Sequence, residues 1–143
     1  MAKLAIIYGT GFGNTGIMAK AIEEGAKNGG LEVIIKKVDE ATPADVEKAD
    51  AVAIGLPTYK GAGMPTVIKY VDSLAKSALK GKLGTAFGSY GWSGEGPIVI
   101  ANMLKGYGMS VIEPPLRIKR IPEKGGIEEC KKLGKTIADR LRK

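Results

Sequence analysis

Histidine is absent from this sequence. Without an imidazole, neither Ser-His-Asp nor Cys-His nucleophilic machinery can be assembled, and most transition-metal sites lose their commonest ligand. No catalytic residue and no metal ligand is therefore expected. Cysteine is nearly absent as well: Cys130 stands alone, which excludes an intramolecular disulfide. Its spacing with Ile127, Gly134, Ile137 and Leu141 places it on one helical face, so a buried, unreactive thiol is predicted. Aromatic residues make up only 6% of the chain and fall in glycine-rich stretches, not along a basic stripe. A net charge of +7 then does not imply nucleic acid. Lys and Arg are densest from Lys131 to Lys143, as on the solvated face of a last helix. No signal-peptide pattern opens the chain, and no apolar run approaches the roughly 20 residues that cross a bilayer. The expectation is a soluble, cytoplasmic protein that engages neither membrane nor nucleic acid.

What the chain does contain is glycine, 21 residues in 143. The most informative cluster is Tyr8-Gly9-Thr10-Gly11-Phe12-Gly13-Asn14-Thr15-Gly16, directly after the apolar run Leu4-Ala5-Ile6-Ile7 and before an amphipathic helical pattern. A strand that empties through such a turn into a helix leaves backbone N–H groups unpaired at the positive end of the helix dipole, which is a phosphate site. The hydroxyls of Thr10 and Thr15 can add hydrogen bonds. Gly11-x-Gly13-x-x-Gly16 also matches the dinucleotide fingerprint, a weak signal in so glycine-rich a chain. That fingerprint wants an acidic residue on the ribose near the end of the second strand, where Ile35-Lys36-Lys37-Val38 precedes Asp39. Two lysines there would suit a 2′-phosphate. The triphosphate loop is excluded, because it ends in Gly-Lys-Ser/Thr and this one ends in Asn14-Thr15-Gly16.

Strand and helix periods alternate along the whole chain, about one domain in length (residues 1–143). Strands are predicted at 3–8, 31–38, 51–54 and 83–87, with a fifth, bent at Pro114-Pro115, formed by 110–112 and 116–118. Helices are predicted at 15–27, with Ile17, Ala21, Ile22 and Gly25 inward, and from Thr42-Pro43 to about Lys48. A third opens at Pro65, buries Val67, Ile68, Val71, Leu74 and Ala78, and stops at Gly81. The run 97–107 is locally strand-like at Ile98-Val99-Ile100, but its place in the alternation favours a helix, and a last helix covers 126–141. Repeated alternation implies a parallel sheet covered by helices on both faces, with ligands bound beyond the carboxyl ends of the strands. The loops after strands one, three and four should therefore meet. The second reads Gly55-Leu56-Pro57-Thr58-Tyr59-Lys60-Gly61-Ala62-Gly63-Met64-Pro65, and the third Phe87-Gly88-Ser89-Tyr90-Gly91-Trp92-Ser93-Gly94-Glu95-Gly96. Both carry aromatics among glycines beside a phosphate cradle, which suits a flat aromatic ligand.

These motifs resemble the flavodoxin family. Thr10-Gly11-Phe12-Gly13-Asn14-Thr15 looks like its phosphate loop, and the other two loops are closer to the flavodoxin domain of flavodiiron proteins, with similarity continuing to Glu113-Pro114-Pro115-Leu116. The resemblance implies a flavodoxin-like three-layer sandwich with a five-stranded parallel sheet in the order 2-1-3-4-5, binding FMN. Thr10, Gly11, Phe12, Gly13, Asn14 and Thr15 would hold the phosphate. Pro57, Thr58, Tyr59, Lys60, Gly61 and Gly63 would line one side of the flavin, and Ser89, Tyr90, Gly91, Trp92, Ser93 and Gly94 the other. A backbone carbonyl near Lys60-Gly61 would accept a hydrogen bond from flavin N5, and Lys60 either faces the flavin edge or faces solvent. The di-iron domain and its ligands are missing, so the expected protein is a free-standing electron carrier, monomer or weak dimer, shuttling electrons between larger redox proteins. Its basic charge departs from the acidic family habit and implies partners with acidic docking faces. The alternative within this fold is an NAD(P)H-dependent flavin or quinone reductase, which would need an insertion or tail to build a second substrate site. A response-regulator domain would need an aspartate where Gly55-Leu56-Pro57 stands.

Overall fold

A computed structural model describes residues 2–11, 13–59 and 62–142. The first strand, β1 (Lys3–Tyr8), is buried along nearly its whole length, and its side chains alternate between two separate cores. Ala5 and Ile7 enter one core, while Leu4, Ile6 and Tyr8 enter the other. A strand apolar at every position is what a central strand between two helical layers requires.

After β1 come α1 (Asn14–Asn28), β2 (Glu32–Lys37), the short α2 (Pro43–Glu47) and β3 (Ala51–Gly55). The hairpin β4 (Thr58–Tyr59) and β5 (Ala62–Gly63) leads into α3 (Pro65–Asp72) and β6 (Leu83–Tyr90). The chain finishes with α4 (Glu95–Gly106), β7 (Ser110–Val111), β8 (Leu116–Lys119) and α5 (Lys124–Leu141). The sheet runs β2-β1-β3-β6, and both β7 and β8 pair in parallel with the far edge of β6. Its five columns carry the expected 2-1-3-4-5 order. The fifth column is two short strands because Pro114 and Pro115, which lack N–H groups, interrupt the ladder.

Helices α1 and α5 cover one face, with Met18, Ile22, Cys130 and Ile137 in its core. The other face is covered by α3 and α4 through Val67, Val71, Ile100 and Leu104. The two helices on the first face approach so closely that an added Cβ on Gly25 would strike the Lys131 carbonyl, and one on Gly134 the Ile22 carbonyl.

Three expectations needed correction. Ile17 is 43% exposed, and Met18 takes the inward place beside Ile22, because the buried stripe of α1 runs through Thr15, Met18 and Ile22. Helix α3 ends at Asp72 and tightens into a 3₁₀ turn over Ser73–Lys76, where the Ser73 hydroxyl donates to the Tyr70 carbonyl at 2.5 Å. Ala78 is consequently exposed, and Leu79 fills the core instead. Strand β6 continues to Tyr90, so Ser89 and Tyr90 belong to the sheet and the loop proper is residues 91–94. The strand-like run Ile98-Val99-Ile100 is helical, as its place in the alternation implied, with Ile98 and Val99 half exposed and Ile100 buried.

Candidate functional site

At the carboxyl end of the sheet the backbone leaves β1 at Gly9, whose N–H donates to the Gly55 carbonyl at 3.0 Å, and turns into α1. Gly13 sits at the helix start with φ 90°, a left-handed conformation that side chains resist. Its N–H donates to Thr10 Oγ1 at 3.0 Å, which closes the turn. No described side chain caps the helix, so the N–H groups of Asn14, Thr15 and Gly16 are left for an external acceptor.

Two side-chain hydroxyls lock the neighbouring segments to this turn. Thr15 is fully buried, its Oγ1 lies 3.0 Å from Ser89 Oγ, and it also accepts the Ser89 N–H at 3.3 Å. The start of α1 is thereby fastened to the end of β6. Thr58 Oγ1 accepts the Gly96 N–H at 2.9 Å and fastens β4 to the start of α4. Tyr90 pairs with Thr58 on one side and Lys119 on the other, so β6 carries both neighbouring chains beyond the end of β3. Across that junction Arg117 Nη1 donates to the Gly94 carbonyl at 3.4 Å, and the Arg120 N–H donates to the Tyr90 carbonyl at 2.6 Å.

The result is a cavity of about 570 Å³. Thr10, Gly11 and Asn14 form its floor, Pro57, Thr58 and Tyr59 one wall, and Ser89, Tyr90, Gly91 and Trp92 the other, with Arg120 closing the rim. Trp92 and Asn14, far apart in sequence, thus share one enclosure. Trp92 is 91% exposed and Tyr59 38%. An aromatic that anchors a loop by packing would be buried; Trp92 is not, which leaves its face available to a ligand. Gly11 is pressed against the Tyr59 hydroxyl, where an added Cβ would collide. Gly13, Thr15, Gly63, Ser93 and Gly94 do not line the cavity, and Phe12, Lys60 and Gly61 lie outside the described residues. Arg120 is the lining residue that sequence reasoning missed. The available signal was the end of the fifth strand, which ends at the same sheet edge as the three loops considered.

Of the two lysines considered for a 2′-phosphate, Lys36 is engaged by a carboxylate, and neither lines the cavity. Lys36 Nζ lies 3.0 Å from Asp45 Oδ1, at the far side of β2. The Thr42 N–H donates to Asp45 at 2.8 Å and, with Lys36, holds the Asp45 carboxyl below the usual carboxylate range. That contact is a helix capping box. Burial, with Glu129 nearby, pushes the Cys130 thiol up to about 12, which matches the inert thiol expected. Among the described residues no cluster of His, Cys, Asp or Glu could hold a metal ion, and no helix is long and apolar enough to cross a membrane.

An uncapped helix start at a strand-to-helix junction, sharing a cavity with two aromatic-bearing segments at the carboxyl end of a doubly wound sheet, is the architecture of the mononucleotide-binding class of α/β proteins. Residues 6–134 match the family model described as flavodoxin. An archaeal flavodoxin structure superposes with a TM-score of 0.95 at 37% identity, covering 99% of both chains. The type A flavoprotein of Rhodobacter capsulatus is 38% identical over 96% of this chain and 33% of its own length. Rubredoxin:oxygen oxidoreductase from Desulfovibrio gigas superposes at a TM-score of 0.92 with 29% identity, over 98% of this chain and 36% of that one. The chain belongs to the flavodoxin family, whose cofactor is FMN and whose work is electron transfer. It spans between 24% and 36% of the length of the curated relatives it matches.

The described residues fit that cofactor. The start of α1 has no side-chain cap, the Gly13 N–H is held by the Thr10 hydroxyl, and the partly exposed Tyr59 and the exposed Trp92 line the same cavity as Thr10 and Asn14.

Proposed function

We propose that the cavity between Thr10, Tyr59 and Trp92 holds FMN and that the chain carries electrons between larger redox proteins. FMN, when bound, takes up and gives back electrons; the protein contributes position, polarity and access. The first turn of α1 presents N–H groups to the phosphate, and the hydroxyl of Thr10 fixes the turn that aims them. Tyr59 and Trp92 bracket the ring, while the N–H and C=O groups of residues 89–92 read its polar edge. Trp92 excludes little water, so one edge of the ring stays open to a partner, as outer-sphere electron exchange requires.

The single observation that carries this reading is the convergence of the Thr10–Asn14 turn, the Pro57–Tyr59 segment and the Ser89–Trp92 segment on one cavity. We take residues 1–143 as one flavodoxin-like domain acting in the cytoplasm, where a lone reduced thiol such as Cys130 is ordinary. The net charge of +7 supports partners with acidic docking faces.

Titration of apoprotein with FMN and with riboflavin, followed by quenching of flavin fluorescence, tests this reading. FMN is expected to bind far more tightly than riboflavin, because only FMN engages the turn before α1. Trp92→Ala is expected to weaken FMN about tenfold, since one aromatic stacking face contributes about 1–3 kcal/mol to a bound base. Equal affinity for the two flavins would overturn the phosphate assignment.

A further inference from the structure

Arg120 stands out on three counts. It is the one non-glycine residue with positive φ among the described residues, at 61°. Such a conformation is uncommon for a side chain of this size and is kept only where the surroundings enforce it. Here the enforcement is visible: Arg120 donates its N–H to the Tyr90 carbonyl at 2.6 Å, one residue beyond the last β8–β6 pair, Lys119 and Tyr90. Without that reversal the chain would continue along the sheet edge; with it, Arg120 turns into the rim of the cavity.

Arg120 is also the only charged residue among the described residues lining that cavity. It separates the cavity from a neighbouring cleft of about 610 Å³, which is bounded by Arg117, Lys119, Glu123 and Glu129. Among the described residues no ion pair engages the Arg120 guanidinium, whereas Lys3, Lys36 and Lys105 all have carboxylate partners. A cation without a partner, at the mouth of a site that holds no described carboxylate, biases that site toward whichever cofactor state is the more negative.

We propose that Arg120 is a positioned charge that sets how strongly the site prefers the cofactor with a reduced, anionic ring over the one with an oxidised, uncharged ring. This rests on the FMN reading above and deepens it. The left-handed backbone supplies the direction and the guanidinium supplies the charge. Because Arg120 is exposed, water and salt screen it, and an effect of about three- to tenfold is expected, not a thousandfold one.

The test is spectroelectrochemical titration of the FMN-loaded protein beside Arg120→Gln, Arg120→Lys and Arg120→Gly. Gln removes the charge and is expected to reduce the preference for reduced over oxidised cofactor about three- to tenfold; tenfold corresponds to about 30 mV lower for a two-electron couple. Lys retains the charge and is expected to stay near the parent. Gly relieves the left-handed backbone yet removes the charge, so it should follow Gln in potential while melting no lower than the parent. The Gln shift should shrink as ionic strength rises from about 0.02 M to about 0.5 M. Unchanged potential in Gln, or a Lys variant that behaves like Gln, would overturn the proposal. Failure of the parent protein to bind FMN in the quenching titration would instead overturn the reading beneath it, and the proposal with it.

Discussion

Thr15→Val changes one atom of a fully buried side chain at the point where α1 is fastened to β6. The methyl group fills the space of the hydroxyl, so packing is preserved and only polarity is lost. Two contacts disappear together: the one to Ser89 Oγ at 3.0 Å and the one from the Ser89 N–H at 3.3 Å. Loss of a neutral hydrogen bond costs about 1 kcal/mol, and leaving the buried Ser89 groups unsatisfied adds about 1–3 kcal/mol. Burial of the new methyl returns about 0.8 kcal/mol. The net destabilisation is about 1–3 kcal/mol, which for a chain of this size lowers the melting temperature by about 3–10 °C. Thermal unfolding of Thr15→Val, Thr15→Ser and Ser89→Ala measures it, with Thr15→Ser nearest the parent because it keeps the oxygen. The double variant Thr15→Val/Ser89→Ala should be less than additive, since both substitutions remove the same interaction. FMN affinity of Thr15→Val should fall as well, because the first turn of α1 loses its tie to the wall opposite. A Thr15→Val protein that melts with the parent, or strictly additive single and double variants, would show that this contact does not organise the site.

Two further predictions concern the scaffold. Gly134→Ala should be among the most destabilising small substitutions, because its Cβ meets the Ile22 carbonyl and the backbones of α1 and α5 have to move apart; urea unfolding should show a loss of about 1–3 kcal/mol. Alkaline pH should weaken the fold through Cys130. Its folded pKa of about 12 lies above the ordinary thiol value of 9.0, so the contribution is complete below pH 9 and is lost as pH climbs toward 12. Denaturant midpoints measured between pH 8 and pH 11 should fall, and Cys130→Ala should flatten the slope.

Much of the fold was legible because its signals are local. The phosphate turn needs only a strand, small residues and a helix start in succession, and Gly9 to Gly16 supply all three in consecutive positions. The apolar runs at Leu4 and Ala51 had to be central strands, since no other arrangement covers both faces. The capping residues Thr42-Pro43 and Pro65 marked helix starts within a residue of where they fall. The run at Ile98 was resolved only by its place in the alternation, which outweighed a local preference for strand.

The errors share one cause. Ile17 reads as a core residue by periodicity, yet the stripe that α1 turns to the sheet runs through Thr15, Met18 and Ile22 and leaves Ile17 outside it. Ser89 and Tyr90 look like loop residues by composition, but they are held in the sheet by partners at Thr58 and at Ile118–Lys119, tens of positions away. The direct partnership of Thr15 with Ser89 joins residues 74 apart, and no spacing rule signals it.

By itself, then, the amino-acid order determined the alternation of strands and helices, the buried stripes of most helices and the character of the phosphate turn, because each depends on neighbours within a few residues. Which of those residues face one another was settled by the three-dimensional packing alone. Arg120 shows the difference: in the chain it is one cation among 22 Lys and Arg residues, and it becomes a rim group only because the carbonyl of Tyr90 turns its backbone inward.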